Sequence, residues 1–346
     1  MLTTILTGLI VLSVLIITHE LGHFITAKAS GVRVEEFGLG FPPRLLSFNW
    51  GETRYSLNAI PFGGFNKLTG EEDPELPRSL ARKSRGIRLL VLSAGSLMNL
   101  LLALLLFSIV FMLPHDVKTG QVSVEEVAPN SPAAMAGIET GDIILSVNDQ
   151  PVDSNAKLNQ HIQDNLGKET TIFVQHRDST KESVQLIPRQ QPPEGEGAIG
   201  VAIRTVKQYP FWQAIPMGAS RLVQTVVLWV DGLISVFAGE VTASFVGPVG
   251  LVQLTGEVAK GGIGPLLDIT ALISLILGIC NLFPLPAIDG GRITFVLLEW
   301  VRRGKRISPK TEGIVHLAGL ALLMVFLFAI TYQDILRIIS GDSLIP

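Results

Sequence analysis

The sequence predicts a multi-pass α-helical membrane protein of about four transmembrane helices, with a membrane-associated β-hairpin and an inserted small β-rich domain. Three observations predict it. Hydrophobic residues make up 47% of the 346 and charged residues only 16%, and mean hydropathy is positive, which is too apolar for a soluble chain of this size. Four stretches, about residues 2–27, 88–113, 266–287 and 313–331, supply the roughly 20 mostly apolar residues that a bilayer requires. Between the second and third lies a polar stretch with strand-like alternation and turn residues.

The first region, residues 1–114, holds two of the spans. Met1 to Thr18 has no basic leader and no small-residue cleavage site after it, so the first apolar run is expected to be retained. It ends in His19, Glu20, Leu21, Gly22 and His23. Two histidines four apart share one helix face and can reach a single metal ion, while the glutamate between them is placed to act on a water bound there. The loop from Lys28 to Arg88 is rich in Lys and Arg, and so is the stretch from Arg292 to Lys310. The positive-inside rule therefore puts both loops in the cytoplasm, and both termini and the 115–190 region outside. The cluster Arg78, Arg82, Lys83, Arg85 and Arg88 reads as a lipid-facing group that fixes this topology.

In residues 115–190, Gln121–Val127 and Gly141–Val147 read as strands, Ser131–Gly137 as a short helix, and Asn148 to Pro151 as a turn. Strands near Thr171–Gln175 and Glu182–Ile187 close a compact extracytoplasmic unit. The run from Gln190 to Gly197 reads as a linker, and residues 191–265 as linker followed by amphipathic or interfacial helices, because prolines and glycines break the apolar stretch Tyr209–Leu251. A fifth span within residues 214–237 is the competing reading. Residues 266–346 hold the last two spans, and the third ends in Asn281, two prolines and Asp289, which is followed by Gly290. An ionisable group at that depth marks function. Asp289 adjoins a cytoplasmic loop, as His19 and His23 do, and is the natural third ligand of a site that keeps one position open.

The net charge of −3 leaves no basic surface able to neutralise many phosphates, so nucleic acid is not expected as a partner. The single cysteine, Cys280, excludes an intramolecular disulfide. His115, His161, His176 and His316 have no partner at ligand spacing and are poor metal candidates.

The stretch from Ser131 through Asp142 and Ile144 resembles a PDZ domain, which implies a groove for an extended peptide or chain terminus. HELGH in the first span, with Asn281, Pro284, Pro286, Asp289 and Gly290 in the third, resembles the paired signatures of the site-2 protease family of intramembrane zinc metalloproteases. Ile288 stands where that family usually has leucine. Gly38–Pro43, Tyr55–Gly70, Gly95–Asn99 and Phe245–Val249 are similar to its bacterial branch that includes the regulator of sigma-E protease, with a single PDZ domain. The resemblance implies one Zn2+ per chain on His19, His23 and Asp289, with Glu20 as general acid and base. It also implies residence in a bacterial cytoplasmic membrane, with the active site near the cytoplasmic side. Substrates would be single-span membrane proteins, such as anti-sigma factors, or leftover signal peptides. A substrate segment must unwind before cleavage. Tyr55–Ile60 could hold it as an edge strand, with Tyr55, Leu57, Gly63, Gly64 and Asn281 as candidate substrate contacts. Two other classes compete: a divalent-metal transporter and a catalytically silent scaffold acting through its PDZ-like domain.

Overall fold

The computed structural model describes residues 2–71, 73–193, 195–241 and 245–340, with backbone alone at 61–62, 115–119 and 204–207. Two compact units divide the chain: Met1–Ile109 together with Ile215–Pro346, and Val110–Ala214. The first unit opens with helix α1 (Leu2–Ala29), followed by strands β1 (Val34–Trp50) and β2 (Thr53–Leu68) and then helix α2 (Arg85–Met112).

β1 and β2 form more than a simple hairpin, because each bends once. Glu36 to Leu39 face Lys67 to Gly64 on one side and Arg54 to Leu57 on the other, while Leu46–Trp50 pairs with Thr53–Leu57. Four legs result, in the spatial order 44–50, 53–60, 34–41 and 64–68. The segment Tyr55–Ile60 therefore runs inside the sheet, contrary to its expected place at an edge. A strand whose backbone groups are already paired on both sides cannot accept another. The legs with a strand on one side only are 44–50 and 64–68. Leu45, Leu46, Phe48 and Trp50 on the first of these are exposed, as lipid-facing residues of a membrane-associated sheet would be.

The second unit contains β3 (His115–Val127), α3 (Pro132–Met135), β4 (Ile143–Val147), β5 (Gln150–Pro151), α4 (Asn155–Asp164), β6 (Thr170–Gln175), β7 (Lys181–Leu186) and β8 (Val201–Lys207). The sheet order is β7-β6-β4-β3-β8, with β5 paired to β4. Ser131 and Ser154 cap α3 and α4 by accepting the N–H groups of Ala134 and Lys157. Asn148 and Asp149 take positive φ, 47° and 61°, in the β4–β5 turn, a conformation those two residue types tolerate. Val122, Ile144, Leu158, Ile172 and Val174 fill an apolar core. β8 extends the sheet beyond residue 190, so the compact unit outruns its expected boundary; Glu194 of the expected linker lies outside the described residues.

The chain returns to the first unit through α5 (Phe211–Phe237), α6 (Pro248–Val258), α7 (Ile263–Cys280), α8 (Asp289–Val301) and α9 (Pro309–Ser340). Among the described residues, α1, α2, α5, α7 and α9 are long and apolar enough to cross a membrane. α5 is one continuous helix rather than a broken series, because Pro216 falls in its second turn and removes a single helical hydrogen bond. Gly218 of α5 lies against Ser108, near the end of α2. Leu222 and Val226 pack with Ala103, Phe107, Ala271 and Leu275, and the Trp229 ring is 5.8 Å from that of Phe283. α5 thus runs antiparallel to α2 and alongside α7. α6 runs against α1, with Val252 over Gly8 and Gly256 over Thr4.

One part of the basic cluster differs from its expected role. Arg88 is buried and ion-paired with Glu299 of α8, which also faces Arg306 at 3.3 Å and Arg85 at 3.6 Å. Arg78 pairs with Glu52. Arg88 and Arg78 are clasps between elements rather than lipid-facing charges.

Candidate metal centre

His19 and His23 stand one turn apart on α1, and their Nε2 atoms lie 3.2 Å from each other. Asp289 begins α8, where the chain leaves a loop that Pro284 and Pro286 keep out of helix. Its Oδ2 lies 3.1 Å from Nε2 of both histidines. The Asn281 carbonyl accepts the N–H of Gly290 at 2.7 Å and so closes that loop onto the end of α7.

This triangle fits a zinc ion. Tetrahedral bonds of about 2.0–2.1 Å put neighbouring ligand atoms roughly 3.3 Å apart, close to the three separations here. The His23 Nδ1 atom lies 2.8 Å from the Val91 carbonyl. Its hydrogen is therefore donated there, and the Nε2 lone pair faces the centre. With Nε2 of His19 and Oδ2 of Asp289 at the same spacing, the three atoms form a donor set suited to a cation. Space is kept for it by Gly95 of α2, where a Cβ would stand 2.7 Å from His19 Nε2 and collide with His23 Nε2.

Glu20, between the two histidines on α1, is not one of the converging ligands. The side-chain amide of Asn66 donates to Glu20 Oε2 at 2.7 Å and to the Glu20 carbonyl at 2.7 Å, so the 64–68 leg is fixed against the active helix turn. Gly64 lies directly beside this glutamate, since a Cβ there would meet Glu20 Cγ at 2.8 Å.

The other expected contacts fall differently. Gly63, at φ 141°, lies against the Phe41 ring and shapes the sheet's bend. Tyr55 joins an aromatic cluster with Phe24, Phe37, Phe48 and Trp50, which seats the sheet on α1 and gives this residue a packing role. Leu57 is exposed. Asn281 is half-buried at the end of α7, and its side-chain amide has no hydrogen bond among the described residues. Asn66, Gly95 and the Val91 carbonyl were not singled out from the sequence as parts of the centre. The one local signal was a glycine in the middle of a span; Asn66 is one of two amides in a strand that also carries Arg54 and Lys67.

The remaining histidines are not ligands among the described residues. His161 is in α4. His176 bonds Asp142 at 2.9 Å and faces Glu182 at 3.6 Å; the Asp142 carboxylate, with help from Glu182, raises its pKa above the ordinary histidine value. His316 meets the N–H of Ala287, and the side chain of His115 lies outside the described residues.

A two-histidine, one-carboxylate centre with an adjacent glutamate that is not a ligand, built where apolar helices meet, defines a membrane-embedded metallopeptidase. The chain belongs to peptidase family M50, which it matches over residues 7–326. It is 33% identical to a Clostridium acetobutylicum protein designated a zinc metalloprotease, over 95% of this chain and 96% of that one. It is 28% identical to the zinc metalloprotease RasP of Oceanobacillus iheyensis, over 97% and 99% of the two chains. Among solved structures, the PDZ domain of an SdrC-like protein from Listeria monocytogenes is 21% identical, covering 26% of this chain and 93% of its own, with a TM-score of 0.22.

Proposed function

We propose that the chain hydrolyses peptide bonds in or near transmembrane segments of membrane proteins, using one zinc ion held by His19, His23 and Asp289. The observation that carries this reading is the convergence of three ligand atoms within 4.8 Å of one another from elements far apart in sequence. Glu20 stands beside them without joining them. Zinc bound there supplies Lewis acidity, lowering the pKa of a coordinated water toward about 7 and polarising the scissile carbonyl.

Glu20 takes the proton from the attacking water and returns it to the leaving amine. Asn66 holds the carboxylate so that one oxygen faces the reaction while the other accepts the amide hydrogen. A transmembrane substrate reaches this point only after local unwinding, because its helical N–H and C=O groups are otherwise paired. The open edge of Gly64–Leu68, next to Glu20, takes up the freed groups by strand addition, and the half-buried Asn281 amide meets the substrate backbone from the other side. Gly63 and the Tyr55 cluster serve this by holding the sheet in place.

Sidedness follows from charge and packing together. The basic loops support a metal centre near the cytoplasmic side of a bacterial cytoplasmic membrane, with the PDZ-like unit and both termini outside. α5 enters from the outer side alongside α7, and α6 runs back along α1. This even-numbered excursion keeps four net crossings and leaves Asp289 level with His19 and His23. Substrates of this class are single-span regulators such as anti-sigma factors, or remnant signal peptides, and the PDZ-like unit binds or screens their extracytoplasmic ends.

The test is Glu20→Gln in the full chain, reconstituted with a single-span substrate. Zinc content should stay at one per chain while cleavage falls by about 10²–10⁴-fold, the usual weight of a general acid–base group. Asp289→Ala should lose the metal. Unchanged cleavage by Glu20→Gln would overturn the mechanism.

A further inference from the structure

The loop that delivers Asp289 is pinned from outside itself. Ala287, two residues before the ligand, has φ 76°, a left-handed conformation disfavoured for a residue with a Cβ. Its N–H is donated to Nδ1 of His316 on α9 at 3.1 Å. One turn further along α9, Gly319 lies under the preceding proline, where a Cβ would stand 2.9 Å from the Pro286 carbonyl carbon and 3.0 Å from its oxygen. The His316 ring also packs against Phe295 of α8, with centroids 5.5 Å apart. A single face of α9 thus grips the turn just before the ligand, while the Gly290 N–H to Asn281 carbonyl bond grips it just after.

We infer that His316 is a positioning residue for the third metal ligand, acting through the Ala287 N–H; this rests on the zinc-site reading above. An acceptor at Nδ1 requires the ring hydrogen on Nε2, which is buried and has no hydrogen-bond partner among the described residues. Nothing in this arrangement makes the imidazole a ligand. What matters is one lone pair at the δ1 position, because a carboxylate must be held within about 0.5 Å of its working place to ligate well. Without it, Ala287 has no compensation for its disfavoured conformation, and the turn relaxes away from His19 and His23.

That requirement separates side chains that otherwise look alike. Asparagine carries Oδ1 where histidine carries Nδ1; glutamine carries its amide one bond further out; leucine has no acceptor. The experiment loads zinc into the full chain in detergent and follows its release to a chromophoric chelator, a readout independent of proteolysis. His316→Leu and His316→Gln should release zinc about 10–100-fold faster than the parent, the usual range for residues that orient a ligand. His316→Asn should stay within about threefold. Slow release by His316→Leu, or equal release by the Asn and Gln variants, would overturn the inference. The Asn and Gln comparison decides even where the leucine variant does not fold, since both keep a polar amide of the same chemistry. A parent chain that binds no zinc at all would instead overturn the metal-site reading itself.

Discussion

The two units of this chain place their polar groups in opposite ways. In the inserted unit a cluster of apolar side chains from Val122 to Ile199 forms the core, and pairs such as Lys157 with Asp153 lie at the surface, Asp142 being its buried carboxylate. In the membrane unit many large apolar side chains of α9 and α1 point outward, with Leu322 73% and Leu2 80% exposed, while Asn99, Arg88, Glu299 and Asp334 are buried. Each pattern suits its solvent: water receives polar groups and lipid does not. The difference teaches where sequence changes matter. A polar side chain buried between lipid-facing helices has neither water nor lipid as an alternative partner, so its loss leaves the group it served unsatisfied. A polar pair on the inserted unit has water to fall back on.

The sharpest way to break this comparison is at Gly95, the smallest residue of the proposed metal centre. A methyl group there falls on the imidazole nitrogens, so Gly95→Ala should lose zinc and reduce cleavage by more than about 100-fold. Alanine favours the helix over glycine by about 1 kcal/mol, so α2 itself should hold. Zinc content by atomic absorption and the circular dichroism of the variant check both halves. Full zinc occupancy would mean that the centre is looser than its 3.1–3.2 Å separations suggest.

Next in size is the buried cluster at the other end of α8. Glu299→Ala leaves Arg88, buried between α2 and α8, without its carboxylate partner. Breaking a buried pair in this way costs about 3–5 kcal/mol, read as a lower unfolding midpoint in detergent. The equivalent removal of Asp153 from the exposed Lys157 pair should move the midpoint far less, because water replaces the lost partner. Equal losses at the two places would remove the distinction between the units.

Much of this was legible in the sequence because each signal was local. HELGH fixes both histidines on one helix face, and the prolines and glycines around Asp289 announce a loop that starts a helix. The inserted unit declared itself through strand alternation and the Asn148–Asp149 turn. What sequence could not supply was pairing over distance. Leu39 and Leu57 are one strand apart only because β1 and β2 both bend, so period-two alternation in Tyr55–Ile60 could not distinguish an inner leg from an edge. α5 was read as broken because proline and glycine are counted as breakers whatever their position, yet Pro216 falls early in the helix. β8 lay beyond a Pro- and Gly-rich run that resembled a boundary. Arg88 differs from its lipid-facing reading for the same reason, since its partner Glu299 lies on an element far along the chain, and the Ala287 contact of His316 is equally distant in sequence.

The smallest expected effect tests the water-facing side of the comparison. His176, partly exposed, bonds the buried Asp142 of the inserted unit and faces the exposed Glu182; the first interaction, more than the second, raises its pKa above the usual value near 6.5. A histidine whose folded pKa is raised stabilises the fold fully below the unfolded value, and that contribution is lost as pH rises through the folded value. Hydrogen exchange of β4 and β6 amides should therefore show parent and His176→Gln differing most below about pH 6.5 and converging above the raised value. Because the ring is accessible to water, the difference should be small, and zinc content should not follow it. A difference that grows with pH would reverse the sign of the linkage, and zinc loss in step with it would show that the two units do not handle their polar groups independently.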